Sequence, residues 1–277
     1  MTTITASDVN KLRQITGAGM MDCKKALQET NGDFEKAIDE LRKKGQKVAA
    51  NRSDRDAKEG VVLAGEKSDK TFAALVCLNC ETDFVAKNQE FIDVTQTILN
   101  VALDKKPATQ EELKALNFNN DITIGDKIIE MIGKIGEKID LSAYEVVKSE
   151  TVVTYIHPGN KLATIIGLNK TGDKIIDAGK QVAMQVAAMS PVSIDKNSVP
   201  KETIERELEI AREQVRQEGK PENMVDKIAE GKLNKFFKES TLLSQQFIRD
   251  NNITVDQFLK QIDPELTVTA FKRVALG

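Results

Sequence analysis

Residues 73–79, AALVCLN, align with residues 163–169, ATIIGLN; Ala, Leu and Asn are identical at three positions, and aliphatic residues face one another at two more. The period of about 90 residues is too long for a solenoid unit and suits two related α+β subdomains instead. The surroundings of the two copies agree. Before the first, Val61, Val62 and Leu63 lead through a turn at Ser68-Asp69-Lys70 into TFAALVCLN, which predicts a hairpin. After it, Phe91, Val94, Ile98, Val101 and Ala102 recur at helical spacing. The second copy sits in TVVTYIHPGNKLATIIGLN, a hairpin with Pro158-Gly159-Asn160 at its turn, and is followed by the helix DKIIDAGKQVAMQVAAMS. Between the halves, GDKIIEMIGKIGEKI reads as a helix and LSAYEVVKSE as a strand.

The first fifty residues predict three short helices. Ser7 is the expected N-cap of the first, with Val9, Leu12 and Ile15 on one face and Gly17-Ala18-Gly19 ending it. Cys23, Ala26 and Leu27 mark the second. Asn31-Gly32-Asp33 stops that run and caps a third helix bearing Phe34, Ala37, Ile38 and Leu41. KKGQKVAANRSDRDAKE is polar with mixed charge and reads as a linker or a solvated helix extension. Near the other end, Ile204, Leu208, Ala211 and Val215, then Met224, Ile228 and Leu233 after QEGKPEN, predict an antiparallel helical hairpin, and TVTAFKRVALG a last strand. The hairpin serves either as a structural arm or as a docking surface. The expected division is 1–46 for a three-helix domain, 47–59 for a linker, 60–140 and 141–277 for the core subdomains, with the hairpin inserted at about 198–240.

Composition narrows the chemistry. Lys and Arg number 40 against 43 Asp and Glu in 277 residues, so a net charge of −3 supplies no basic field to gather nucleic acid, and a protein or small ligand is the expected partner. No apolar run approaches the roughly 18 residues of a membrane span, and MTTITASDVN lacks the layout of a secretion signal, so a cytoplasmic protein without membrane contact is expected. No phosphate-cradling GxxxxGK[ST] or strand-borne GxGxxG is present, and TGAGMMD, which follows a helix, reads as a helix–helix turn. Neither a catalytic residue nor a cofactor is expected. The only histidine, His157, abuts a Pro-Gly turn with no nucleophile nearby. Cys77 and Cys80 form a C-x-x-C that could hold zinc or a disulfide, yet two further ligands are missing and positions three apart on a strand face opposite ways. Small apolar residues at a strand end is the plainer reading, and no metal is expected.

The stretch ETDFVAKN, residues 81–88, places an aromatic ring where a strand gives way to a helix, in a chain with only 4% aromatic residues. Together with LRQITGAGMMDCKKAL (12–27) and the preceding CLNC, it resembles the two signature stretches of the elongation factor Ts family, guanine-nucleotide exchange factors for the translational GTPase elongation factor Tu. The likeness spans essentially the whole chain, with EGKP where the family has an SGKP-like hairpin turn.

The resemblance implies an α+β fold: a three-helix N-terminal domain of the ubiquitin-associated type, a duplicated core and an inserted helical hairpin. It implies that Thr82, Asp83, Phe84 and Val85 reach into elongation factor Tu, the ring wedging between two helices so that the groups holding magnesium and the phosphate loop shift. Arg13, Met20 and Met21 are the implied N-terminal contacts, and His157 an implied contact on the phosphate-loop side. The family commonly has Glu in place of Cys77, some members have Gly in place of Pro158, and some carry a helical module beyond the position of Gly277. Two rivals stay open: an adaptor, or a homodimer, built on the helical hairpin, and a thiol or zinc protein built on Cys77 and Cys80.

Overall fold

A computed structural model describes residues 4–277, so Met1–Thr3 of the expected N-terminal domain lie outside the described residues. Three helices come first: α1 (Ala6–Thr16), α2 (Met20–Glu29) and α3 (Phe34–Asn51). The cap of α1 is Thr5 and not Ser7. Thr5 Oγ1 accepts from Asp8 N at 3.2 Å while Asp8 accepts from Thr5 N at 3.0 Å, a reciprocal box that only the residue three before Asp8 can form. Gly17 closes the helix at φ 65°, donating its N–H to Arg13 O at 2.8 Å. Val9, Leu12, Cys23, Ala26, Leu27 and Ala37 form the small core, with Phe34, Ile38 and Leu41 packed on it. Ile15, expected on that face, is instead 56% exposed. The segment read as a linker or a solvated helix extension begins as the latter, since α3 runs on to Asn51.

The core continues with β1 (Glu59–Glu66), β2 (Phe72–Cys80), α4 (Asp83–Ala86), α5 (Gln89–Lys105), α6 (Gln110–Ala115), α7 (Ile124–Ile135), β3 (Asp140–Lys148), β4 (Thr151–Ile156), β5 (Leu162–Leu168) and α8 (Asp173–Met189). Then come α9 (Lys201–Gln217), α10 (Glu222–Ser240), β6 (Gln246–Phe247), β7 (Asp250–Thr254), α11 (Val255–Ile262) and β8 (Val268–Ala275). The fold is α+β. Sheet order is β1-β2-β3 and β4-β5-β8, so the second strand of each hairpin is central in both.

The 90-residue period extends to atomic detail. Lys67 N donates to Phe72 O and Lys70, at φ 58°, donates to Lys67 O, both at 2.9 Å. In the second copy His157 N donates to Leu162 O at 2.8 Å and Asn160, at φ 55°, donates to His157 O at 3.1 Å. The repeated asparagines also act alike. Asn79 Nδ2 donates to the carbonyls of Ala57 and Glu59, and Asn169 Nδ2 to that of Glu265, each amide tying the end of a central strand to a neighbouring segment. All nine residues of β2 are buried, which explains its continuous apolar run in place of an alternating one.

Two compact units divide within strands: one runs to Leu63 and includes Val76–Tyr144 and Ala275–Gly277, the other comprises Ala64–Leu75 and Glu145–Val274. In the first, α3 packs on α7. A Cβ on Gly133 would stand 3.1 Å from Gly45 Cα, and one on Gly45 would stand 3.0 Å from Ile129 O, so glycines let these backbones approach. In the second, Thr151–Ile156 pairs antiparallel with Leu168–Ala163, and α8 lies over both strands. The hairpin α9–α10 closes over Ala211, Val215, Val225 and Ala229, with Arg212–Asp226 (2.8 Å) and Lys232–Glu218 (2.7 Å) bridging its flanks. Its second stripe is therefore one position on from Met224 and Ile228; Met224 is 45% exposed.

Candidate functional site

The candidate site is a tip on the first unit where β2 becomes helix. Thr82, extended at φ −122° and ψ 153°, caps α4, its hydroxyl accepting from Val85 N. Asn88 caps α5 by accepting from Glu90 N at 2.8 Å, so α4 is confined to a single turn between two caps. Ala86 turns inward and is buried, Asp83 pairs with Lys87 at 2.7 Å, and Val85 is half-buried. Phe84 points the other way. Its side chain is 84% exposed, the highest value among the described large apolar residues.

An exposed ring on a four-residue helix needs a stiff base, and two carboxylates provide one. Glu137, just past the C-terminal Gly136 of α7, accepts from Glu81 N (3.1 Å), Thr82 N (3.0 Å) and Thr82 Oγ1 (2.7 Å). Glu81 accepts from Lys138 N at 2.6 Å and from the guanidinium groups of Arg52 (3.2 Å) and Arg55 (3.1 Å). The hydrogen bond from Lys138 N, followed by the two arginines, holds the Glu81 carboxyl below its usual range. Glu81 therefore favours the folded tip when ionised, above its unfolded pKa of about 4.3, and loses that contribution as pH falls through the lower folded value. Urea midpoints from pH 6 to 3 should fall more steeply for the wild type than for Glu81→Gln, with the difference confined to the acidic end.

Arg13, Met20 and Met21 lie around the Gly17–Gly19 turn of the same unit. Arg13 is exposed, and Met20 and Met21 are 55% and 74% exposed beside Ile15. Ile15 also lines a cleft of about 220 Å³ with Ala18, Ile38, Leu41 and Ile122. His157 belongs to the other unit. It is exposed at the β4–β5 turn, with Nδ1 2.9 Å from Tyr155 Oη. Sequence reasoning missed Arg52, Arg55, Glu81, Glu137 and Lys138 as parts of the site. Only Glu81 lies inside the signature; Glu137 is 55 residues past Thr82.

The thiols are differently placed. Cys77 Sγ donates to Asn79 Oδ1 at 3.2 Å and Cys80 Sγ to Thr82 O at 3.2 Å; both are buried and unpaired by any disulfide. Burial, reinforced by the Glu137 charge, pushes the Cys80 thiol up to about 12, and burial raises Cys77 as well. Among the described residues no group of three or more His, Cys, Asp or Glu could hold a metal. A chromogenic disulfide reagent at pH 8 should therefore modify Cys23, Cys77 and Cys80 only after denaturation, since the nucleophile is the thiolate. Rapid modification of Cys80 in the native protein would contradict this burial.

The tip presents apolar surface outward, and the polar groups at its base hold backbone. No described helix is long and apolar enough to cross a membrane. The chain belongs to the elongation factor Ts family of translation elongation factors, whose family model, described as Elongation factor TS, matches residues 81–277. It is 54% identical to elongation factor Ts of Amoebophilus asiaticus (strain 5a2) over 275 residues, 99% of either chain. It is 52% identical to that of Porphyromonas gingivalis (strain W83) over 274 residues, 99% of this chain and 98% of the relative. It is 51% identical to that of Flavobacterium psychrophilum over 277 residues, the whole of both chains.

Proposed function

We propose that this chain is a cytoplasmic guanine-nucleotide exchange factor that binds elongation factor Tu in its GDP form and releases the nucleotide by displacing magnesium and the phosphate loop. Thr82, Asp83, Phe84 and Val85 form the inserting segment. Arg13, Met20 and Met21 make a second contact, and His157 a third. The observation that supports this reading most directly is the ring of Phe84, 84% exposed on a tip whose base is hydrogen-bonded from both sides.

The size of the effect is adequate. Burying a Phe side chain is worth on the order of 1.5–3 kcal/mol, and a thousandfold faster release needs about 4 kcal/mol of barrier lowering. The ring leaves about 1–2.5 kcal/mol for the displaced metal contact to supply. Linkage supplies the rest of the mechanism: a factor that binds the nucleotide-free partner more tightly weakens nucleotide binding by the same factor, and no catalytic residue is required.

The test is the release rate of a fluorescent GDP analogue from elongation factor Tu at fixed magnesium, with this protein added in substoichiometric amount. Strong acceleration is expected. Binding without any change in nucleotide kinetics would instead describe an adaptor.

A further inference from the structure

We propose that Glu137 is the positioning residue for the Phe84 ring, so that the crossing of α3 and α7 sets the ring's attitude before a partner arrives; this rests on the exchange reading of the Phe84 tip. Phe84 itself has no packing to aim it, since its side chain is 84% exposed. Its direction is inherited from the backbone of α4, and that backbone is fixed where the chain leaves β2. There Glu137 takes three donors from two consecutive residues, Glu81 N, Thr82 N and Thr82 Oγ1, at 3.1, 3.0 and 2.7 Å. Two converging backbone N–H groups and a hydroxyl on one carboxylate fix both the position and the rotation of the peptide that starts α4. With Thr82 Oγ1 held by Glu137, that hydroxyl is oriented to accept from Val85 N and cap the turn that bears Phe84.

The grip comes from helices that are themselves fixed. Glu137 follows α7, whose last turn is stopped by Gly136 in the left-handed region at φ 79°. Arg52 and Arg55, which hold Glu81, follow α3, and Lys138 Nζ donates back to the carbonyls of Ser53 (2.6 Å) and Arg55 (2.9 Å). The two helices meet closely at Gly45 and Gly133, where a Cβ would stand only 3.0–3.1 Å from the facing backbone. The exits of both helices thus converge on Glu81 and Thr82. Preorganising a ring in its inserting attitude removes an ordering cost that would otherwise be charged to the exchange step.

The experiment compares wild type, Phe84→Ala, Glu137→Ala and the double variant in the fluorescent GDP release assay, with the maximal rate and the half-saturating concentration measured separately. Glu137→Ala should lower the maximal rate at least fivefold with less than a threefold change in half-saturation. In the Phe84→Ala background the same substitution should change the rate less than twofold, because there is no ring left to aim. Equal losses in both backgrounds would overturn the proposal, as would full activity of Glu137→Ala. A wild type that does not accelerate release would fail the exchange reading itself, a different outcome. A second measurement needs no partner: amide hydrogen exchange at Glu81 and Thr82 should speed at least tenfold in Glu137→Ala while α7 and β2 stay protected. Unchanged protection at those two amides would also overturn the proposal.

Discussion

Phe84→Ala should lower the accelerated rate of GDP release by about 10- to 150-fold while leaving the thermal midpoint of the free protein unchanged. The range is the burial of one Phe side chain, about 1.5–3 kcal/mol, converted to a rate ratio. The unchanged midpoint follows from the side chain's 84% exposure, since truncation removes almost no contact from the folded monomer. A core residue would behave in the opposite way: Phe91, which is 1% exposed, should cost about 3–5 kcal/mol of stability on truncation to Ala. Linkage adds a second readout. If Phe84→Ala reduces the preference for the nucleotide-free partner by some factor, the ability of the variant to weaken GDP binding must fall by that same factor. Calorimetry on the two forms of elongation factor Tu measures the first, and equilibrium GDP titration the second. A variant that lost stability and exchange together would return Phe84 to the core of the protein.

The parts legible in the sequence were those with local causes. Both hairpins are visible because turn residues sit between apolar runs, and the repeated Ala and Asn positions mark their common role. Local rules also left ambiguities that only packing resolves. Met224 and Val225 each begin a helical stripe, and the seam with α9 selects Val225 and Ala229. Ser7 and Thr5 both offer a capping hydroxyl, but only Thr5 stands three residues before Asp8, and that spacing decides the cap. The β6–β7 hairpin is too short to show a strand period, whereas Val255, Phe258, Leu259 and Ile262 stand at helical spacing and mark α11, a helix that sequence reasoning missed; Phe247 stacks on Phe258 at 4.2 Å between centroids, pinning that hairpin to α11. At the site, the family signature named Phe84, yet its exposure and its support by Glu137 depend on a contact 55 residues distant in sequence. Such pairings leave no periodic trace.

Gly60→Ala should lower stability by roughly 3 kcal/mol or more, the largest loss expected from adding a single methyl group. Gly60 has φ 155°, in the region that side-chain-bearing residues rarely adopt, and a Cβ there would lie 2.3 Å from Leu78 O and 2.8 Å from Asn79 Cα. Both obstacles are backbone, so no rotamer change relieves them. They also belong to the strand end that Asn79 ties to the carbonyls of Ala57 and Glu59, and Asn79 in turn accepts from Ser142 and from Cys77 Sγ. Moving β1 away from β2 would therefore loosen that polar cluster together with the sheet. For a domain with about 5–15 kcal/mol of total stability the loss is a large fraction, measurable as a shift of the urea midpoint at constant slope. Because β2 leads directly through Cys80 into the Phe84 tip, the same variant, if folded at low temperature, should also protect the amides of Glu81 and Thr82 less well than the wild type. A neutral effect would mean that β1 can withdraw from Leu78 without cost, and that the close approach of these two backbones is not what anchors the strand end beneath the tip.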